Sequence, residues 1–408
     1  MIEKYSKMRR YPGLLLLFFS LTMLFVLTTG WSRKPSTVQP LEDKDISFAI
    51  ESEILMDESV PANYIDVATE NGVVTLTGTV NNILARKRAA ELAETVKGVR
   101  SVVNNIVVEP VLLSDDTVEN LVEEALLFDP VTESLEIDVE VSERNVQLSG
   151  EVESWQEKQR AVTVAMGVKG IAEVENDIKV NYLESRADPE IEADVKSRLS
   201  GDVWVDEELI DVSVNNGVVE LTGTVGSAAE KRYAIFDSWV SGVESVDSDN
   251  LQVEWWAKED LSRSEKYTPA NNNKVEESIE DAFFYDPRVA GFKIDVDVDE
   301  GVATLTGIVD NLEAKNAAKE DALNTTGVWR VKNYIRVRPE NAPGDKLLEE
   351  RVNKALLRHP NVEVFEIDVR AANGTVFLEG KVNTLFERQQ AEKAAEKVIG
   401  VIDVVNLI

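Results

Sequence analysis

The sequence predicts an α+β fold: five tandem αββαβ domains, each a three-stranded mixed sheet with two helices on one face, after an N-terminal hydrophobic helix. Three observations predict it. Residues 71–80 (NGVVTLTGTV) and 216–225 (NGVVELTGTV) match at nine of ten positions, 145 residues apart. Looser versions of V-x-L-x-G-x-V recur as NVQLSGEV from Asn145, GVATLTGIV from Gly301 and NGTVFLEGKV from Asn373. Within each repeat the apolar spacing changes between helical and alternating in the same order. A fixed period of this size marks repetition of one structural unit. The motif glycines, Gly78, Gly150, Gly223, Gly307 and Gly380, are 72, 73, 84 and 73 residues apart, so an insertion follows the third copy. A second landmark glycine follows each by about 20 residues: Gly98, Gly170, Gly242, Gly327 and Gly400.

The second copy shows each element. Asp115, Asp116 and Thr117 can cap a first helix. Val118, Leu121, Val122, Ala125 and Leu126 follow at helical spacing, and Asp129-Pro130 stops it. Residues 135–141 (LEIDVEV) and 146–152 alternate as half-buried strands do. The turn between them is NG or EG in four copies, where glycine supplies positive φ. The second copy has Arg144-Asn145 there, which leaves room for a different turn. Ala161, Val164, Ala165 and Val168 stripe a second helix over 154–168, which Gly170 ends. Val174, Asn176, Ile178 and Val180 form the last strand. On the motif strand, Val74, Leu76 and Val80 share the core face with Gly78, which is expected to let a helix approach the sheet.

These landmarks divide the chain into 1–32 (signal peptide or transmembrane anchor), 33–42 (linker), domains at 43–109, 114–181 and 188–254, a linker at 255–272, and domains at 273–338 and 344–408. Connections of about five to eight residues suggest a semi-rigid, elongated rod that bends at the longer linker. Units this small bury only about 60% of their unfolded surface, so packing between neighbours would help them.

The net charge is −32, with 75 acidic residues against 43 basic. Such a surface repels nucleic acid. The absence of cysteine removes disulfides and thiolate chemistry. Lys4, Lys7, Arg9 and Arg10 precede an uncharged run over 11–32, whose apolar body includes Leu14, Leu17, Phe18, Leu21, Leu24, Phe25 and Leu27. A span of roughly 20 residues crosses a bilayer, and the positive flank stays cytoplasmic, so the remainder would be exported. Signal peptide and anchor both fit. The lack of an A-x-A cleavage site, with Trp31 at the far end, favours an uncleaved inner-membrane anchor; a cleaved soluble periplasmic form is the alternative.

Helix, D-P, I-D-V-x-V, G-x-V-x-L-x-G-x-V, a second helix and G-V-x-x-V-x-N-x-I-x-V together resemble the BON domain. The last motif reads GVRSVVNNIVV from Gly98, GIAEVENDIKV from Gly170, GVESVDSDNLQV from Gly242 and GVWRVKNYIRV from Gly327, and the chain closes with GVIDVVNLI. The third copy departs most, since Asp237 interrupts the stripe of its second helix. The resemblance implies a non-enzymatic periplasmic envelope protein that contacts phospholipid membranes and serves envelope integrity or the osmotic-stress response. It brings no catalytic residues and no cofactor.

The residues point the same way. His359 is the single histidine and ends a helix, so no metal set or base–orienter pair can be built on it. Asp295, Asp297 and Asp299 resemble a calcium loop, but Glu300 stands where that loop needs glycine. A KH-like RNA binder would need a G-x-x-G clamp and a basic groove, and the net charge and the expected export argue against one. The aromatic residues Phe128, Trp155, Trp255, Trp256, Phe284 and Tyr285 are candidate lipid or partner contacts, since amphipathic rings suit a bilayer interface. Core packing and joints between copies compete for the same residues. A scaffold that binds other envelope proteins is the competing expectation.

Overall fold

The computed structural model describes residues 41–132, 136–183, 185–257, 271–339, 342–363 and 367–408. The hydrophobic N-terminal segment, and residues 258–270 of the long linker, lie outside the described residues. Among the described residues no helix is long and apolar enough to cross a membrane.

Copy one runs α1 (Asp43–Met56), β1 (Ile65–Glu70), β2 (Val73–Val80), α2 (Ile83–Thr95) and β3 (Ser101–Val108). Copy two runs α3 (Asp115–Leu127), β4 (Ile137–Ser142), β5 (Asn145–Val152), α4 (Trp155–Met166), then β6 (Glu173–Asn176) and β7 (Lys179–Val180). Copy three runs α5 (Asp188–Gly201), β8 (Ile210–Asn215), β9 (Val218–Val225), α6 (Ala228–Asp237), then β10 (Ser245–Asp247) and β11 (Leu251–Val253). Copy four runs α7 (Asn272–Tyr285), β12 (Ile294–Asp299), β13 (Val302–Val309), α8 (Leu312–Leu323), then β14 (Arg330–Asn333) and β15 (Arg336–Val337). Copy five runs α9 (Asp345–Arg358), β16 (Ile367–Ala372), β17 (Thr375–Gly380), α10 (Leu385–Glu396) and β18 (Asp403–Leu407). The motif strand is central in every sheet, antiparallel to the strand before it and parallel to the one after the second helix. The α+β reading of five αββαβ units with mixed sheets holds.

Local chemistry explains the repeat. The first helices bury one stripe at spacing of four: Ile46, Ile50 and Ile54 in α1, Val118, Val122 and Leu126 in α3. Second helices are capped by Asn82, Ser154, Ser227, Asn311 and Thr384, each accepting the N–H three residues on. Ser114 caps α3, and Asp115 does something else. Its carboxylate accepts the Glu143 and Arg144 N–H groups at 2.9 and 3.0 Å, clamping the hairpin turn. Asp43 and Asp188 hold their own turns in the same way. The second copy therefore makes the same turn as the others, with Arg144 at φ 67° in the glycine position. In the closing motif, Asn104 Oδ1 accepts the Ile106 N–H while its amide donates to the Arg86 carbonyl, tying the third strand to α2; Asn333 and Asn406 repeat both bonds.

The motif glycine has a different partner from the expected helix. Gly78 pairs with Ile65 at φ 122°, and a Cβ there would lie 2.0 Å from the Tyr64 carbonyl oxygen. Gly150, Gly223 and Gly307 face the carbonyls of Glu136, Leu209 and Lys293 at 2.3, 2.2 and 2.7 Å. It is the backbone entering the first strand, not a helix, that forbids a side chain.

Each copy has its own buried core, and all five lie within residues 41–408. That stretch is one compact unit. The copies do not string out as a rod. Asn82 of copy one donates to Asn361 of copy five at 2.9 Å, and Arg160 of copy two grips Glu313 of copy four. The short connectors permit this because the outer faces of the helices, not chain neighbours alone, supply the contacts.

Gly78→Ala is expected to lower the unfolding free energy by at least about 2 kcal/mol, since it combines positive φ with a backbone collision. Gly291→Ala, where an added Cβ meets nothing within 4 Å, should change it by less than about 0.5 kcal/mol. Thermal melts of residues 41–408 measure both.

Candidate functional site

Helices α4, α5, α6, α7 and α8 converge from copies two, three and four around a cavity of about 610 Å³. Its walls carry basic residues (Arg160, Arg198, Arg232, Arg288) and acidic ones (Asp202, Asp237, Asp286, Asp321). Arg160 projects from α4 into the joint with copy four. Its Nε donates to Asp129 Oδ1 at 3.2 Å, and Nη2 also pairs with Asp129 Oδ2. Nη1 and Nη2 donate to Glu313 Oε1 and Oε2 at 3.0 and 2.6 Å. Burial works against the charge on Arg160, but Glu313 and Asp129 outweigh it and hold its pKa above the ordinary value. Burial likewise opposes the Glu313 charge, and Arg160 and Lys397 bring its pKa below the usual range.

Asp237 and Asp321 form the second feature. Each stands ten residues after the cap of its second helix, where the other copies have Leu92, Val164 and Ala394. Burial, and then Asp202, push the Asp237 carboxyl well above its ordinary pKa against the pull of Arg198. Burial, and then Asp286, do the same to Asp321 against Arg288 and Arg198. Asp237 Oδ1 accepts from Arg198 at 2.7 Å; the second oxygen of each carboxylate has no hydrogen bond. The sequence signal for this site is an aspartate within an apolar stripe. It is visible at Asp237 and was missed at Asp321. Arg160 and Glu313 gave no signal, because their partners lie on other copies.

Among the described residues no cluster of three His, Asp or Glu is placed for a metal. His359 Nδ1 accepts the Asn361 N–H at 3.2 Å, and burial, Lys397 and Arg358 push its pKa down to about 3. The imidazole is therefore neutral at ordinary pH and has no charge to offer.

The structure divides the aromatic candidates. Trp155 stacks on Trp239 at 5.0 Å and meets Phe236 edge-on at 5.2 Å, joining copies two and three. Lys97 of copy one lies over the Trp255 ring at 4.6 Å. Arg351 of copy five lies over Phe128 at 5.4 Å. Tyr285 donates to Asp194 of copy three at 3.2 Å, with Arg198 over its ring. Phe284 and Trp256 remain exposed, at 64% and 44%.

Arg160→Met strands two carboxylates and is expected to cost about 3–5 kcal/mol of stability, and adding Asp129→Asn with Glu313→Gln should recover most of it. Denaturant titration reads both changes. For Asp321, the raised native pKa means that the folded state keeps its proton longer than the unfolded chain. Stability from this group is present at low pH and lost as pH rises through the native pKa. Asp321→Asn is therefore expected to be more stable than the parent by about 1–3 kcal/mol near pH 8, the gain vanishing toward about pH 4. Melts across that range test it.

The chain is 29% identical over 146 residues to the osmotically-inducible protein Y of Escherichia coli, covering 34% of this chain and 73% of that protein. Two solved structures of CdsD, a structural protein of the type III secretion system of Chlamydia trachomatis, share 15% and 18% identity. They cover 52% and 53% of this chain and 100% and 97% of their own, with TM-scores of 0.15 and 0.14. The BON domain family matches five times, at residues 42–110, 114–182, 187–254, 271–339 and 344–408. With nearly all of residues 42–408 covered, the chain belongs to the BON domain family.

Proposed function

We propose that this chain is a non-enzymatic envelope protein of the osmotic-stress response, exported to the periplasm and held at a phospholipid surface. The observation that carries the reading is the fivefold BON match, together with a relative that is named for osmotic induction. Residues 11–32 supply the export signal and the inner-membrane anchor. Lipid contact by the folded unit falls to side chains left outside the joints, and Trp256 and Phe284 are two of the exposed aromatics among the described residues. A net charge of −32 argues for local apolar insertion over long-range attraction to anionic lipid. Several weak contacts on one compact unit gain avidity where they reach the same surface.

A protein scaffold in the envelope is the second reading. It is favoured by Phe128, Trp155, Trp255 and Tyr285, which serve joints between copies instead of an outside surface.

Vesicle co-sedimentation of residues 41–408 separates the two. Binding is expected with anionic and zwitterionic vesicles, reduced several-fold by Trp256→Ala with Phe284→Ala. No binding to either, with or without magnesium, sinks the lipid reading and leaves the scaffold.

A further inference from the structure

The first helices of four copies are paired by one rule. Counting from Asp43, Asp115, Asp188, Asn272 and Asp345 as the equivalent helix starts, three outer positions matter: six, nine and thirteen residues further on. They lie across the helix from the buried stripe. The ninth positions of copies three and four meet, with Ser197 Oγ donating to Asp281 Oδ2 at 3.1 Å. The ninth positions of copies two and five meet as well, through Lys354 and Glu124 at 2.7 Å. The thirteenth position of one copy touches the sixth of its partner. Tyr285 meets Asp194, Gly201 faces Ser278, and Phe128 lies under Arg351. The helix ends are bridged alike: the Gly201 carbonyl accepts the Thr326 N–H at 2.7 Å, and the Arg358 carbonyl accepts the Lys169 N–H at 2.8 Å. Between copies three and four the thirteenth-to-sixth contacts run in both directions, as in an isologous, two-fold interface built inside one chain; copies two and five share the central contact and one of the two flanking ones.

Five copies make two pairs and leave one over. Copy one has Ala49, Ser52 and Met56 at the three positions. Met56 is 82% exposed and the neighbouring Phe48 71%. The chemistry of each trio matches what covers it. Copy five offers Arg351, Lys354 and Arg358 to a copy that has Glu124 at the central position. Copy one carries no charge at any of the three. Its trio is self-complementary: a large apolar knob at the thirteenth position, a small hole at the sixth, and a hydroxyl on the axis that both donates and accepts. Ser52 Oγ at present donates to the Phe48 carbonyl of its own helix at 2.8 Å.

We propose that the outer face of α1 pairs with the same face of a second copy of this chain. The result is a two-fold homodimer with Ser52 against Ser52 and Met56 against Ala49. The contact is one helix pair and belongs to the weak, transient class. Each chain brings a net charge of −32, so the dimer strengthens as salt screens repulsion.

The chain contains no cysteine, so single substitutions report cleanly. In residues 41–408, which hold all five cores, Ser52→Cys is expected to give a disulfide-linked dimer on mild oxidation. Glu51→Cys, one residue off the face and also exposed, should give several-fold less. Sedimentation at about 100 µM should show a reversible dimer that is favoured by salt and abolished by Met56→Glu. A monomer at that concentration overturns the proposal. So does a dimer that ignores Met56→Glu or links equally well through position 51. The Ser52→Cys link is also expected in the full chain; its loss there, with the link kept in 41–408, would mean that residues 1–40 occupy the face, and would overturn it too.

Discussion

Every copy is organised by the strand that has neighbours on both sides. The antiparallel partner approaches that strand so closely at one point that its entering carbonyl takes the space of a Cβ, as Tyr64 does at Gly78. Only glycine satisfies the contact and the positive φ together. Once the first strand is seated, Val74, Leu76 and Val80 are fixed on the inner face, and the helices have a surface on which to lay their stripes. The hairpin is fastened from the other end as well. In copies one, two and three the aspartate that starts the first helix accepts two turn N–H groups, so helix, turn and strand are positioned by a single carboxylate.

With five such units made alike, individuality resides on the outer faces of the helices. Copy two meets copy five through opposite charges and copy three through an aromatic stack. It grips copy four through a shared arginine. Buried ion pairs are weak contributors to net stability, because desolvation offsets much of their attraction. Their strength is discrimination: a wrong pairing of near-identical domains would leave a charge without a partner. The buried Asp237 and Asp321, in a stripe that is apolar elsewhere, extend that logic at a local cost.

The single domain was legible in the sequence because its information is periodic. Stripes of period four, alternation of period two and glycines at fixed offsets all survive in one chain without an alignment. The role of Asp115 was not legible, since a carboxylate near a helix start suits a cap equally well, and only the return of the hairpin distinguishes the two. The arrangement of copies was the least legible. Short connectors suggested a rod, whereas the contacts that decide the arrangement are single residues such as Asn82, Arg160 and Glu313, whose partners are more than a hundred residues away. Trp155 and Tyr285 read as surface aromatics for the same reason: nothing in the neighbouring sequence announces the copy that covers them.

The bond between Asn82 and Asn361 has a consequence for how such a chain can change over generations. Open repeat arrays lengthen or shorten by whole units, because each repeat contacts only its neighbours. Here the first copy meets the last, and the second meets both the fourth and the fifth. A unit inserted between copies would pull apart domains that are matched by such single contacts. Adding or removing an internal copy is therefore costlier here than in an open array, and substitution within the copies is the easier route of change.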